Sequence, residues 1–269
     1  MKFKIIILTK NEELHLKRCI DSVRVIATEI WVIDSHSSDE TTNIAAENGA
    51  QVISREWPGY SEQFNFAIDH VTQEDDWVFR IDADEVVDES TIDELRDLSE
   101  AELSSFNGIS ILRSIAYNGE VLCGEPYFKV PITRIFRSGF GRYERRPMDE
   151  HLLISGATYQ SQCHVIDECL KGRNFFKSKH ENYARLEALS IQNQYSTDLV
   201  DKDTQKRKKH RDIYYKFPIL VRPFLLYLYF LFIKRGILKG WNYNIFLAQQ
   251  VLEYRLLVDI VLVKDKFQK

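Results

Sequence analysis

The chain has 269 residues, 44% hydrophobic, 28% charged and 12% aromatic, which suits one large α/β domain with an appendage. Only 11 Gly and 6 Pro argue against a long disordered linker. A formal net charge of -4, a pI near 6.0 and the lack of a wide basic, aromatic-rich stretch exclude nucleic acid as a favoured partner.

In chain order, Phe3-Lys4-Ile5-Ile6-Ile7-Leu8 is a β-branched run of the kind that forms a strand buried on both faces. It runs on directly from Met1 and does not resemble a cleavable signal. At Thr9-Lys10-Asn11-Glu12-Glu13, Thr9 or Asn11 is placed to cap a helix whose first turn suits the acids. Leu16, Ile20 and Val23 then recur at helical spacing. Ile30 to Ile33 reads as the second strand, ending at Asp34-Ser35-His36-Ser37-Ser38-Asp39. A helix follows to Asn48 and stops at Gly49, a left-handed cap. Val52-Ile53 marks a third strand, Tyr60 to Val71 a helix, and Trp77 to Ile81 a fourth strand running into Asp82-Ala83-Asp84-Glu85.

Alternation of strand and helix implies a mostly parallel sheet flanked by helices. Ligands of such sheets collect beyond the carboxyl ends of the strands. The clusters at Thr9-Asn11-Glu12, Asp34 to Asp39 and Asp82 to Glu85 all sit at strand ends and should meet in one crevice. After a helix at Glu89 to Leu98 the order is less regular. Ile109 to Ile115, Thr133 to Phe136 and His151 to Ile154 read as strands. From Asn174 the pattern is helical, with Tyr183, Leu186 and Leu189 on one face. The expected division is 1–172 and 173–269, the first part comprising 1–100 and 101–172.

Cys19, Cys123, Cys163 and Cys169 show no paired spacing and fit free thiols in a reducing cytoplasm. Crowded carboxylates such as Asp82, Asp84 and Glu85 are costly unless a cation neutralises them or their pKa values shift. Hard oxygen ligands suit Mg²⁺ or Mn²⁺, which also bind substrate phosphates. Taken alone, the tetrapeptide equally fits an acidic cap on the helix that follows. Its place at the end of a fourth strand favours the metal.

Thr9-Lys10-Asn11-Glu12, the run Val32-Ile33-Asp34-Ser35 continuing through Ser37-Ser38-Asp39 to Thr41, and Ile81-Asp82-Ala83-Asp84-Glu85 together resemble family 2 glycosyltransferases of the GT-A fold. The order and spacing are similar to those of bacterial lipopolysaccharide-core and exopolysaccharide enzymes. The resemblance implies a nucleotide-diphospho-sugar donor contacted by Thr9, Glu12, Asp34, Gln63, Asn65, Asp82, Ala83 and Arg146. It implies Mg²⁺ or Mn²⁺ on Asp82 and Asp84, with His164 as a further candidate ligand. A lone His is more often structural, so His164 ranks below the two acids. Many relatives carry a second Asp where this chain has Ser35.

Inverting sugar transfer also needs a base for the acceptor hydroxyl. Arg145-Arg146-Pro147-Met148-Asp149-Glu150-His151 resembles the acidic acceptor motif of the subfamily, which makes Glu150 the first candidate and Asp149 the second. The plainer reading is a surface turn in which the arginines pair with the acids. Arg146 and Arg145 also suit diphosphate oxygens, with Arg134 and Arg137 weaker candidates.

Lys206 to Arg211 is strongly basic and precedes the aromatic stretch Phe217 to Ile233, whose uninterrupted part from Pro223 is too short to span a bilayer. That pattern fits a helix lying on an anionic membrane surface, or a core or dimer helix beside a solvated charge run. The first reading gives a cytoplasmic enzyme, peripheral at the inner face of the membrane, with a glycan or lipid-linked acceptor. Two other readings stay open. One is a sugar-phosphate nucleotidyltransferase, although no Gly-rich phosphate loop follows the first strand. The other is a membrane-associated scaffold that keeps the fold without turnover.

Overall fold

The structure, a computed structural model, describes residues 1–124, 126–144, 152–192 and 213–267. The chain divides into two compact units, Met1–Leu122 with Pro126–Leu170, and Cys123–Glu125 with Lys171–Lys269.

The first unit begins β1 (Phe3–Thr9), α1 (Leu16–Val23), β2 (Ala27–Asp34), α2 (Thr41–Glu47), β3 (Gln51–Ser54), α3 (Tyr60–Val71), β4 (Trp77–Arg80), β5 (Glu85–Val87) and α4 (Glu89–Asp97). It continues with β6 (Phe106–Tyr117), β7 (Glu120–Val121), β8 (Val130–Arg137), β9 (Gly141–Tyr143), β10 (Leu152–Ile154) and β11 (Ala157–Asp167). Among the described residues a nine-stranded sheet runs β3-β2-β1-β4-β8-β6-β11-β5, with β7 on β6 and a separate β9–β10 pair. The strands β3, β2, β1 and β4 are mutually parallel. Antiparallel pairing enters with β8, between β4 and β6.

Both faces of β1 are covered, which is why it reads as an unbroken apolar run. Phe3, Ile5 and Ile7 pack with Leu16, Cys19, Ile20 and Val23 of α1. Ile6 points to the other side, with Phe64, Ala67, Ile68 and Val71 of α3. Lys4 shares that second face and is buried; its ammonium donates to the Val71 carbonyl at 2.8 Å and pairs with Asp76 at 2.9 Å. Burial of a lysine is tolerated only with partners of this kind.

Helix α2 ends as its sequence suggests, with Gly49 at φ 78° and its N–H on the Ala46 carbonyl. Helix α1 differs from expectation. His15 precedes it without a side-chain cap, and neither Thr9 nor Asn11 serves it. Asn11 sits at φ 55° and accepts the Ser38 N–H instead. The long strand β11 escaped the sequence reading because Thr158, Gln160, Ser161 and Gln162 break its apolar pattern. It pairs in parallel with β6.

The second unit holds α5 (Gly172–Gln192), α6 (Arg222–Leu228) extended by a π-helical turn to Ile233, α7 (Trp241–Leu247) extended likewise to Glu253, and α8 (Tyr254–Phe267). Ala184 and Ala188 of α5 are fully buried with Val258 and Leu262 of α8. Small residues let two helices approach closely, and they define the packed face. Tyr183, Leu186 and Leu189 are exposed. Asp259, buried on α8, holds Arg222 at the start of α6 and accepts the Leu220 N–H at 2.8 Å.

Candidate active site

Adjacent parallel strands bring the polar clusters to one edge of the sheet. The register places Thr9 beside Asp34, and Ile6 beside Arg80, so the carboxyl ends of β1, β2 and β4 are neighbours. The first two clusters are tied directly. Thr9 Oγ1 donates to Asp34 Oδ1 at 2.9 Å, Ser37 N–H donates to Asp34 Oδ2 at 2.8 Å, and Ser37 Oγ also donates to Asp34. Asp34 is fully buried, and these bonds take up most of its acceptor capacity. Its carboxylate fixes the loop that follows β2.

Asp39 does similar work, accepting from Thr41 N–H at 3.1 Å and Glu13 N–H at 3.2 Å. Glu12 takes the Thr41 hydroxyl on its backbone N–H and pairs its carboxylate with His15 Nδ1 at 2.7 Å. His15 Nε2 accepts the Leu170 N–H, so the imidazole carries its proton on Nδ1 and donates it to Glu12.

Gln63 and Asn65 of α3 are both buried. Gln63 joins the Ser35 hydroxyl (3.4 Å) to Arg55 (3.2 Å). Asn65 copies a strand partner: its Nδ2 donates to the Tyr143 carbonyl at 2.8 Å and its Oδ1 accepts the Tyr143 N–H at 2.9 Å. Its amide is thereby spent on anchoring the end of β9.

The third cluster is divided between two environments. Asp82 is gripped by Arg80 Nη2, at 2.6 and 2.8 Å to its two oxygens, and by Arg134 Nη2 at 3.1 Å. Glu85 is buried, accepts the Asp82 N–H at 3.0 Å and pairs with Arg134, which is itself only 1% exposed. Burial pushes the Glu85 carboxyl well above its usual range; the Asp82 charge adds to this and the Arg80 guanidinium opposes it. Ala83 is buried in the apolar core with residues that include Phe79, Ile81 and Val87.

Asp84 is different. Its backbone carbonyl is fixed by Arg18 Nη2 at 3.2 Å and the Glu168 N–H at 3.0 Å, and Arg18 is braced in turn by the Glu168 carboxylate at 2.9 Å. The Asp84 carboxylate has no hydrogen-bond or ion-pair partner among the described residues. It is a held backbone presenting a free acid.

That donor set fits a divalent cation in its chemistry: one free carboxylate, and a second, Asp82, which is 32% exposed and charge-balanced by arginine. The remaining positions would fall to water and phosphate, because no three His, Cys, Asp or Glu side chains gather as a metal centre among the described residues. His164 is placed elsewhere, with Nε2 3.1 Å from Asp88 at the cap of α4.

Arg80, which the sequence did not single out, and Arg134, a weaker candidate there, are the side chains that grip Asp82. Arg80 stands two positions before Asp82 at a strand end, so both side chains leave the same face, and that period was legible. Its guanidinium lies 5.0 Å from the Tyr60 ring centre, and Tyr60 meets Tyr143 at 5.3 Å. Arg137, by contrast, stacks on Trp77. Arg145, Arg146, Asp149, Glu150 and His151 lie outside the described residues. The strands on either side are paired, Tyr143 opposite Leu152.

The family model described as "Glycosyl transferase family 2" matches residues 4–146. A Rickettsia prowazekii protein named as an uncharacterized glycosyltransferase is 29% identical over 198 residues, 66% of either chain. A lipopolysaccharide core biosynthesis glycosyltransferase of Rhizobium meliloti is 32% identical over 143 residues, 51% of this chain and 52% of its own. The chain thus spans two thirds or less of the length of these relatives. Among solved structures, glucosyl-3-phosphoglycerate synthase of Mycobacterium tuberculosis, in complex with Mn²⁺, UDP and glucosyl-3-phosphoglycerate, aligns with 23% identity and a TM-score of 0.35. That alignment covers 42% of this chain and 44% of the other.

Proposed function

The chain belongs to glycosyl transferase family 2 and has the GT-A fold, and from that premise we propose that it is an inverting, metal-assisted transferase extending a bacterial cell-surface glycan or lipid-linked acceptor. The donor is a nucleotide-diphospho-sugar. The observation that carries this reading is Asp84, whose carboxylate has no hydrogen-bond or ion-pair partner among the described residues while its backbone carbonyl is held by Arg18 and Glu168.

In this proposal the loops after β1 and β2, shaped by Thr9, Asp34 and Ser37, receive the nucleoside. Asp82 and Asp84 would hold Mg²⁺ or Mn²⁺, which would supply charge neutralisation to the donor diphosphate. Arg80 and Arg134 orient Asp82 and balance its charge. Glu150, with Asp149 as its alternative, takes the proton as the acceptor oxygen bonds to the anomeric carbon. The bond from that carbon to the diphosphate breaks, and the nucleoside diphosphate leaves on the opposite face. Arg146 is assigned to the departing diphosphate, whose oxygens match a guanidinium. A membrane-side acceptor agrees with the exposed aromatic helix of the second unit, and among the described residues no helix is long and apolar enough to cross a membrane.

The test is turnover of a nucleotide-sugar panel with and without EDTA, alongside Asp84→Ala. Full activity in chelator, or wild-type turnover by the variant, overturns the metal assignment. Release of pyrophosphate from a nucleoside triphosphate, without sugar transfer, overturns the reaction class.

A further inference from the structure

From Ile213 to Leu252 the chain carries Lys216, Arg222, Lys234, Arg235 and Lys239 and not one Asp or Glu, in a protein whose net charge is -4. Arg222 pairs with the buried Asp259. Lys234, Arg235 and Lys239 lie in a folded corner between α6 and α7, with Arg235 exposed and Lys239 half-buried, donating to the Cys123 carbonyl at 3.3 Å.

The corner is a built object. The Lys234 N–H bonds to the Tyr229 carbonyl at 3.0 Å, Leu238 N–H to Arg235 O at 3.1 Å, and Lys239 N–H to Gly236 O at 2.9 Å. Asn244 Nδ2 reaches back from α7 to the Gly236 carbonyl at 3.1 Å. Gly236 is buried against the Phe230 carbonyl, where an added Cβ would come within 2.8 Å of that oxygen. Such close packing fixes the backbone.

Yet the side chains on this rigid frame point into solvent. Ile233 is 70% exposed, Leu238 78% and Trp241 80%, with Phe232 and Ile237 also exposed. Large apolar side chains crowded on an ordered protrusion mark a contact surface. Its composition selects among partners. Protein interfaces deplete lysine at their centres, whereas Lys234, Arg235 and Lys239 here alternate with Ile, Leu and Trp. Long basic side chains around an apolar, tryptophan-bearing tip match the headgroup layer of an anionic bilayer, where the apolar groups enter the acyl boundary and the cations stay at phosphate level.

We infer that the corner Phe232–Trp241 is a membrane-docking element that seats the protein on anionic lipid. This names the site of the membrane contact in the function proposed above and rests on that reading only for the choice of partner.

The test uses the full chain with vesicles of equal parts phosphatidylcholine and phosphatidylglycerol, and with phosphatidylcholine alone. Sedimentation should carry the protein down with the anionic vesicles and at least about tenfold less with the neutral ones. Trp241 emission, taken as the difference between wild type and Trp241→Phe, should shift to the blue on binding. The pair Leu238→Glu and Trp241→Glu should weaken vesicle binding at least about tenfold while the circular dichroism spectrum is unchanged. The milder Trp241→Ser should weaken it less.

No sedimentation with anionic vesicles, or undiminished binding by the double variant, overturns the inference. So does a concentration-dependent dimer that the double variant abolishes without any vesicle binding, since the corner would then cover a second copy of the chain. Sugar transfer to a soluble acceptor is read in parallel. Transfer without vesicle binding sinks this inference alone, and vesicle binding without transfer sinks only the catalytic reading.

Discussion

Arg134 on β8 and Glu85 on β5 are each 1% exposed and meet as guanidinium and carboxylate beneath Asp82. Arg134 Nε and Nη1 have no hydrogen-bond partner among the described residues, so the arginine's main compensation for burial there is the pair of acids it touches. The pair is a floor for the carboxylate cluster.

Removing one member of a buried ion pair strands the other. Arg134→Met should therefore cost about 3–5 kcal/mol of stability, read from urea unfolding. Arg134→Met combined with Glu85→Gln should recover part of that loss, because no full charge is left buried. A double-variant loss equal to the sum of the losses of Arg134→Met and Glu85→Gln alone would show that the pair does not couple.

The Asp84 carboxylate has no hydrogen-bond or ion-pair partner among the described residues, so Asp84→Asn should leave the unfolding midpoint nearly unchanged. Turnover should fall at least about a hundredfold, as expected when charge stabilisation at a leaving group is removed. Unchanged turnover with Mn²⁺ supplied would place the metal elsewhere.

Glu150→Gln keeps the shape and removes the base. The expected outcome is loss of transfer with nucleotide binding retained, measured by titration with the nucleoside diphosphate. Loss of binding instead would make Glu150 a structural residue.

Asn65→Ala leaves the Tyr143 N–H and carbonyl without their side-chain partners. About 1–3 kcal/mol of stability should be lost. Transfer should also suffer in excess of stability, because Tyr143 leads into the segment bearing Asp149 and Glu150. A stability loss with kcat unchanged would confine Asn65 to the scaffold.

His180 on α5 lies against Phe176 at 4.1 Å and Tyr254 at 5.0 Å. Burial, helped by Lys179, pulls its pKa down to about 4. The unfolded chain, with an ordinary value near 6.5, binds the proton first as pH falls. Stability is therefore full above about 6.5 and declines as pH drops toward about 4. Thermal melts from pH 7 to 4 should show this decline, and His180→Phe should flatten it.

The sequence by itself determined the parallel half of the fold. The apolar runs at Ile5 to Ile7 and Ile30 to Ile33 are periodic and local, and Gly49 marks its own left-handed turn. It also determined the family, through three motifs at strand ends whose spacing survives in one dimension. The division of the acids was not legible. Asp82, Asp84 and Glu85 look alike in the chain, and what separates them are partners from elsewhere: Arg134 across the sheet, Arg18 from α1, and Glu168 after β11. Asn65 and Asp34 likewise matched a motif for contacting nucleotide, while their hydrogen bonds show them holding Tyr143, Thr9 and Ser37. A carboxylate's role depends on which donors reach it within about 3 Å, and β11, too polar to read as a strand, ends beside Glu168, which braces Asp84. Only tertiary structure brings such donors together.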